Sequence, residues 1–294
     1  MMPLGHVLAA VDFSPGSRAA LPFADRLAKQ CGAQLHLLHA IAPCLMSAAN
    51  AAGTDLPADI REELQILLGA STSRPVGTAC YHAVAGEAGD VIMHTAAREG
   101  ADLIVLGTRG SSPCEWPALG ATLEDVLHRT TVSLLAVPAA WSPPCPSSDD
   151  LTGIGPVIAG VDMTCPSIEA AAAAGQLAAA LRTDLLLIHA VPPPQTGERW
   201  HALAEAAAAR EFEAARPELE RVTSAICAHA GGRATFVTEY GDVAHVLTQA
   251  ATAHPDAIVV LGRGTVSHAY GPPGSIAART LVLGRVPVLV HGTG

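Results

Sequence analysis

Lysine is almost missing from this sequence. Lys29 is the only one among 294 residues, and arginine supplies the rest of the 17 basic side chains. A phosphate loop of the G-K-[ST] type needs a lysine and is therefore excluded. Lys29 falls in a predicted surface helix, which argues against Schiff-base catalysis. Aromatics make up 3% and charged residues 15%, against 50% hydrophobic, so the core is aliphatic, small and rich in alanine. No basic run occurs and the net charge is −10, which argues against nucleic acid as the main partner. The seven cysteines (31, 44, 80, 114, 145, 165, 227) form no CxxC pair and are odd in number. Neither a disulfide framework nor a zinc ribbon is expected, and a reducing cytoplasm is. The longest apolar run, Ala170–Leu181, is alanine-rich and shorter than the ~20 residues that span a bilayer, so no membrane partner is expected. The N-terminus MMPLGHVLAAVD has no basic region and runs straight into a strand, so no signal peptide is expected either.

What is present is a duplication. Shifted by 150 positions, Val7–Pro43 and Val157–Pro193 overlay without gaps and share 14 of 37 residues. HVLAAVDFS becomes PVIAGVDMT, and LHLLHAIAP becomes LLLIHAVPP. A period of this size means tandem domains and not a solenoid. The expected domains are 1–140 and 155–294. Residues 141–154 form a linker within the Pro/Ser/Asp/Gly-rich stretch Ala139–Gly155.

Each half alternates strands and helices. In the first, strands are expected at Val7–Val11, Leu35–His39, Thr78–Val84, Leu103–Leu106 and Ser133–Val137. Helices are expected at Arg18–Cys31 after a Ser14–Ser17 cap, then at Ala58–Ser71, Asp90–Glu99 and Ala121–Arg129. The Pro/Gly/Asn-bearing segment Ala42–Pro57 reads as a connection. In the second half, strands fall near Val157–Val161, Leu185–His189, Ala234–Thr238, Ala257–Leu261 and Val286–Val290. Glu198–Ala230 reads as helical, with a break or kink near Pro217. The expected fold is α/β, with two tandem doubly wound domains. Each is a five-stranded parallel sheet of order 3-2-1-4-5 with helices on both faces. Ligands in such sheets sit at the carboxyl ends of strands, where the strand order switches.

Two stretches follow the fourth strand of each half: VLGTRGSSPCEWPALGAT (Val105–Thr122) and VVLGRGTVSHAYGPPGS (Val259–Ser275). A glycine-bounded loop between a strand end and a helix start lets backbone N–H groups approach an anion closely. Arg109 and Arg263 can add charge for a phosphate. The third marker is Asp12, which ends the first strand, with its copy Asp162.

Together these residues resemble the universal stress protein family in tandem form, over about 5–139 and 156–293. The markers are Val11-Asp12-Phe-Ser14 and Val161-Asp162-Met-Thr164, His39-Ala40-Ile41 and His189-Ala190-Val191, Asp102–Gly107 and Asp256–Gly262, both loops, and Val286–Val290. The resemblance implies Rossmann-like domains of the HUP type and a nucleotide site. Asp12 and the Ala40 backbone would meet an adenosine, with Gly107, Arg109, Gly110, Gly120, Ala121 and Thr122 around ribose and phosphates. The matching positions are Asp162, Ala190, Gly262, Gly264, Gly274 and Ser275. ATP, alone or with Mg2+, is the implied ligand. A homodimer, or halves packed through their last strands, and an unidentified protein partner are the implied assemblies.

Both loops depart from the family pattern. Ala121 stands where the family has Ser or Thr, with Thr122 one place later, and the second loop reads G-R-G with one residue lost. A lost hydroxyl contact costs about 1 kcal/mol, whereas a lost backbone residue reroutes several N–H donors, so the first half is the better site. Bland readings stand beside these. Asp12 and Asp162 can be turn residues, the glycines can merely clear space, and His39 and His189 can be satisfied by backbone. His36 and His39 are three apart on a strand and face opposite sides, and no metal site is expected. The leading function is an adenine-nucleotide-binding stress regulator without efficient catalysis. The alternatives are a nucleotide-free interaction protein or a slow ATPase.

Overall fold

The structure is a computed structural model that describes residues 4–72, 77–109, 119–141, 154–193, 197–263 and 275–292. The chain divides into two compact units between residues 152 and 153. The expected linker lies almost wholly outside the described residues.

In the N-terminal unit the order is β1 (His6–Ala10), α1 (Pro15–Cys31), β2 (Gln34–Ile41), α2 (Pro43–Ala52), α3 (Leu56–Ser71), β3 (Ala79–Ala85), α4 (Ala88–Glu99), β4 (Leu103–Gly107), α5 (Ala121–Arg129) and β5 (Ser133–Val137). All pairings are parallel, and the strands lie in the order β3-β2-β1-β4-β5. Val7, Leu8, Leu35, Leu37, Leu38, Leu103 and Ile104 are fully buried, as strands covered on both faces require. Ser14 caps α1, its Oγ accepting from the Ser17 N–H at 3.3 Å. The single lysine has a structural post: Lys29 Nζ pairs at 3.1 Å with Asp25, a carboxylate that is only 1% exposed.

The C-terminal unit runs β6 (Val157–Gly160), α6 (Cys165–Leu181), β7 (Leu185–Val191), a 3-10 turn at Glu198–Trp200, α7 (His201–Ala230), β8 (Ala234–Tyr240), α8 (Val243–Ala253), β9 (Ile258–Gly262), α9 (Ser275–Leu283) and β10 (Val288–His291). Its strands are also parallel, in the order β8-β7-β6-β9-β10. In each unit the chain moves outward from the first strand in both directions. That creates a switch point between β1 and β4, and between β6 and β9.

Two expectations fail for physical reasons. Ala42–Pro57 is not a plain connection, because α2 occupies most of it. Pro43 sits at the first helical position, where its missing N–H costs nothing, and Gly53 ends the helix in the left-handed region at φ 73°. The two residues read as loop punctuation are a helix's start and stop. Pro217 does not break α7, which runs through it for 30 residues. Leu219, Val222 and Ile226 beyond it are buried, and their packing outweighs the one lost backbone bond.

Candidate functional site

A pocket of about 440 Å³ opens at the carboxyl ends of β1, β2 and β4, within the ~300–1,000 Å³ usual for small-ligand sites. Its floor includes Ala10, Val11, Leu38 and Leu106, and its polar rim is Asp12, Ser17, His39 and Arg109. Ala40, Gly107, Gly120, Ala121 and Thr122 complete the set expected from the sequence, apart from Gly110. Gly110 lies outside the described residues, as does Cys114.

The turn after β1 is strained. Phe13 has φ 61° and its copy Met163 has φ 63°, a conformation costing a non-glycine residue roughly 1–2 kcal/mol. What holds the turn is hydrogen bonding around the aspartate. Asp12 Oδ1 accepts from the Ser14 N–H at 3.0 Å, and the Asp12 N–H donates to Ser17 Oγ at 3.3 Å. The aspartate is therefore a turn residue and a pocket residue at once. Phe13 lies against the His39 ring at 5.0 Å between centroids. His39 is oriented by the backbone, its Nδ1 lying 2.7 Å from the Val11 carbonyl oxygen.

The glycines divide into two kinds. At Gly107 a Cβ would stand 2.6 Å from the Gly16 carbonyl carbon and 2.8 Å from the Ser17 nitrogen. A Cβ on Gly16 would in turn collide with the Arg109 carbonyl oxygen. These two glycines let the end of β4 lie against the start of α1, so they build the pocket wall. Gly120 differs: its φ of −63° and ψ of 138° suit any residue. Its N–H donates to the Thr108 carbonyl at 2.9 Å and closes the base of the loop.

Gly120 is the N-cap of α5, and no side chain caps that helix among the described residues; Glu87 at the start of α4 also makes no capping bond. Ala88 and Ala121, the first residues of these helices, both line the pocket. Two helix N-termini with their positive dipole ends thus meet the same cavity, beside Arg109. Arg129 holds the two helices together. Its Nη2 is 2.6 Å from Asp90 Oδ1 on α4 and its Nη1 is 2.7 Å from Asp125 Oδ2 on α5.

The C-terminal unit repeats part of this. Asp162 Oδ1 accepts from the Thr164 N–H at 3.0 Å and from Thr164 Oγ1 at 2.5 Å. Burial raises the Asp162 carboxyl, but hydrogen bonds from Ser167 and Thr164 outweigh it and hold the group below its ordinary value. His189 Nδ1 lies 2.8 Å from the Val161 carbonyl, as in the first copy. Ala190 lies in β7 and pairs with Glu239. Gly262 closes β9, and a Cβ there would stand 2.8 Å from the Pro166 carbonyl oxygen. Burial lowers the Arg263 guanidinium from its ordinary value. Gly264, Gly274 and the Ser275 side chain lie outside the described residues, although Ser275 opens α9.

Sequence reasoning missed the second helix N-terminus at Ala88, together with Ile92 one turn on. The signal was available: Gly86 ends the third strand and α4 starts two residues later. The fold also draws His36, His82 and Glu99 together, with donor atoms within 4.8 Å of one another, a grouping that the sequence does not show. Burial and the neighbouring His82 lower His36, with Glu99 pulling the other way, and burial lowers His82.

The universal stress protein family model matches residues 3–138 and again 153–291. Universal stress protein A homolog 1 of Coxiella burnetii is 26% identical over 141 residues, covering 45% of this chain and 94% of its own length. The crystal structure of a universal stress protein from Archaeoglobus fulgidus matches 98% of this chain and 98% of its own, at 18% identity and a TM-score of 0.67. A universal stress protein solved in complex with cAMP is 24% identical over 47% of this chain and 99% of its own, with a TM-score of 0.36.

Proposed function

The chain belongs to the universal stress protein family, and on that premise we propose that its N-terminal unit binds ATP or another adenine nucleotide. The protein then acts as a nucleotide-dependent stress-response regulator without efficient catalysis. The observation that carries this reading is one pocket lined by Asp12, Ala40, Arg109 and Gly120–Thr122. The apolar floor suits a base, the aspartate can accept from ribose hydroxyls, and the two helix N-termini with Arg109 suit phosphates. Ala121 and Thr122 both line the pocket, so a hydroxyl remains available one position beyond the family's Ser or Thr. Catalysis has weak support. Asp12 is engaged in its turn and His39 is oriented by a backbone carbonyl, which leaves no base aligned with a nucleophile among the described residues.

Calorimetric titration of the full chain with ATP tests the proposal. Binding is expected, and Asp12→Ala and Gly120→Val should each remove the N-terminal site. No heat at millimolar ATP would sink it. A second reading, a nucleotide-free interaction protein, is favoured by Ala121 and the shortened G-R-G loop. Adenine nucleotide released from the purified protein by heat denaturation would eliminate that reading.

A further inference from the structure

We propose that His36, His82 and Glu99 form a binding site for one first-row divalent transition metal ion of the zinc class. The site lies in the N-terminal unit, away from the nucleotide pocket. His36 is on β2, His82 on the neighbouring β3, and Glu99 is the last residue of α4. His36 Nδ1 is 3.1 Å from His82 Nε2 and 3.8 Å from Glu99 Oε2. Donors held tetrahedrally at about 2.0–2.1 Å from zinc lie roughly 3.4 Å from each other. These two separations bracket that value, and all three donors lie within 4.8 Å of one another. Two imidazoles and one carboxylate are also an established zinc donor set, with the fourth position left to water.

A second shell is built in. His36 turns its far nitrogen, Nε2, toward His6 Nδ1 at 3.0 Å. A ligating histidine needs such a partner on its other nitrogen to fix ring and tautomer. On the far side, Arg98 Nη2 is 3.1 Å from His82 Nδ1, and Arg98 Nε is 2.7 Å from Glu99 Oε1. A guanidinium only donates, so His82 Nδ1 accepts and its Nε2 carries the proton toward His36 Nδ1. The His36 Nε2 proton then points to His6 Nδ1.

Metal binding changes one part of this chain. The ion takes the place of the proton between the two rings, His82 becomes the Nδ1–H tautomer, and no proton leaves the ring. His36 keeps its bond to His6. Arg98 must let go, since Nδ1–H now opposes its own N–H, and at 47% exposure it can swing into solvent. Arg98 is therefore the resident cation that a metal ion displaces.

The duplicate domain shows that the fold does not require these residues. At the corresponding positions stand Pro156 for His6 and Leu186 for His36. Val237, paired with Ile188 as His82 is with Leu38, stands for His82. The same sheet is built there without imidazoles. The metal residues and the pocket sit at opposite ends of α4, from Ala88 to Glu99, roughly 16 Å apart at 1.5 Å per residue.

The test is Zn2+ titration of the chelator-treated full chain by calorimetry, with Co2+ absorption reporting the ligand geometry. One equivalent is expected, with tetrahedral or five-coordinate Co2+ bands. Glu99→Gln and His82→Gln, both at partly exposed positions, should each weaken binding ~10–100-fold or more, and unchanged circular dichroism shows that they fold. Arg98→Ala should tighten binding. His94→Ala, exposed on the same helix, should change nothing and controls for stray surface histidines. Absence of a one-to-one Zn2+ complex overturns the proposal. So does binding that survives both Glu99→Gln and His82→Gln, or that loosens with Arg98→Ala.

Discussion

Gly107→Ala and Gly120→Val separate the two jobs that glycines do around the pocket. The Gly107 Cβ would stand 2.6 Å from the Gly16 carbon and 2.8 Å from both the Gly16 oxygen and the Ser17 nitrogen, whereas ordinary contact starts at 3.4 Å. All three neighbours are backbone, so no side chain can rotate away, and the first turn of α1 must retreat. Overpacking of this kind costs about 1–3 kcal/mol. In a domain of this size that lowers the melting temperature by roughly 3–9 °C. Differential scanning calorimetry of the ligand-free chain should show the loss in one of its transitions. Gly120→Val meets no conformational barrier, because φ −63° and ψ 138° suit valine. Gly120 lines the pocket, so the melting temperature should hold while ATP binding disappears. If Gly107→Ala left the melt unchanged and removed only binding, the assignment of Gly107 to the wall would be wrong. A Gly120→Val protein that still bound ATP normally would refute the placement of the nucleotide.

Arg182 offers a stabilising change. It ends α6 in the left-handed region at φ 56°, donating to the Ala178 and Ala179 carbonyls, where its copy Gly32 ends α1 at φ 68° with the equivalent bonds. Arg182→Gly should therefore stabilise the C-terminal unit by about 0.5–1 kcal/mol once the extra chain entropy of glycine is subtracted, and urea denaturation measures it. Asp162 predicts a pH dependence. Its carboxyl is held below the ordinary value, so the stability it contributes is present above the unfolded pKa of about 4. That stability is lost as pH falls through the lower folded value. Asp162→Asn should flatten this acid limb of a stability-versus-pH curve, and an unchanged limb would count against the hydrogen bonds as its source. Arg129→Ala should weaken ATP binding by loosening α4 against α5, with no large change in melting temperature. Unchanged affinity would show that the helix N-termini are held by packing alone.

The alternation of elements and the duplication were legible because both are carried by local pattern. Short apolar runs such as LLLIH and LIVLG, spaced between helical patterns, read as strands buried on both faces. Asp12, Arg109 and the glycine-bounded loop stand next to strand ends and a helix start that the pattern located, whereas Ala40 and the roles of Gly120–Thr122 came from the family resemblance; all of them line one pocket. Less visible was anything decided by pairing between elements. Pro43 and Gly53 carry the same letters whether they bound a loop or a helix, and only the intervening alanines favour α2. Pro217 signals a break unless the apolar residues after it have a sheet to pack on. His36 and His82 are 46 positions apart, and nothing local announces that parallel register sets them two residues apart diagonally on neighbouring strands.

The two copies let the chain serve as its own control. Features in both are demanded by the fold or its turn. They include the left-handed residue after Asp12 and Asp162, the Nδ1 contact from His39 and His189 to the carbonyl just past β1 and β6, and the glycine that ends β4 and β9 against the start of α1 and α6. Such repetition weakens a purely catalytic account of these positions, because each already has a structural cause. Features in one copy only are free to carry chemistry. The imidazole chain from His6 through His36 to His82 has no structural duty that Pro156, Leu186 and Val237 fail to meet. It is therefore the part of the N-terminal unit whose presence packing does not explain. The glycine loops fall between these cases. Gly107 and Gly262 let a strand end lie against the start of α1 and of α6, whereas the Gly120 backbone, at φ −63° and ψ 138°, suits any residue. What a glycine at 120 adds is room beside the first N–H groups of α5. Room at a helix N-terminus, beside an arginine and above an apolar floor, is what a nucleotide phosphate requires. That is why the weight of the functional reading rests on Gly120 and the two residues after it, and no longer on the whole glycine pattern.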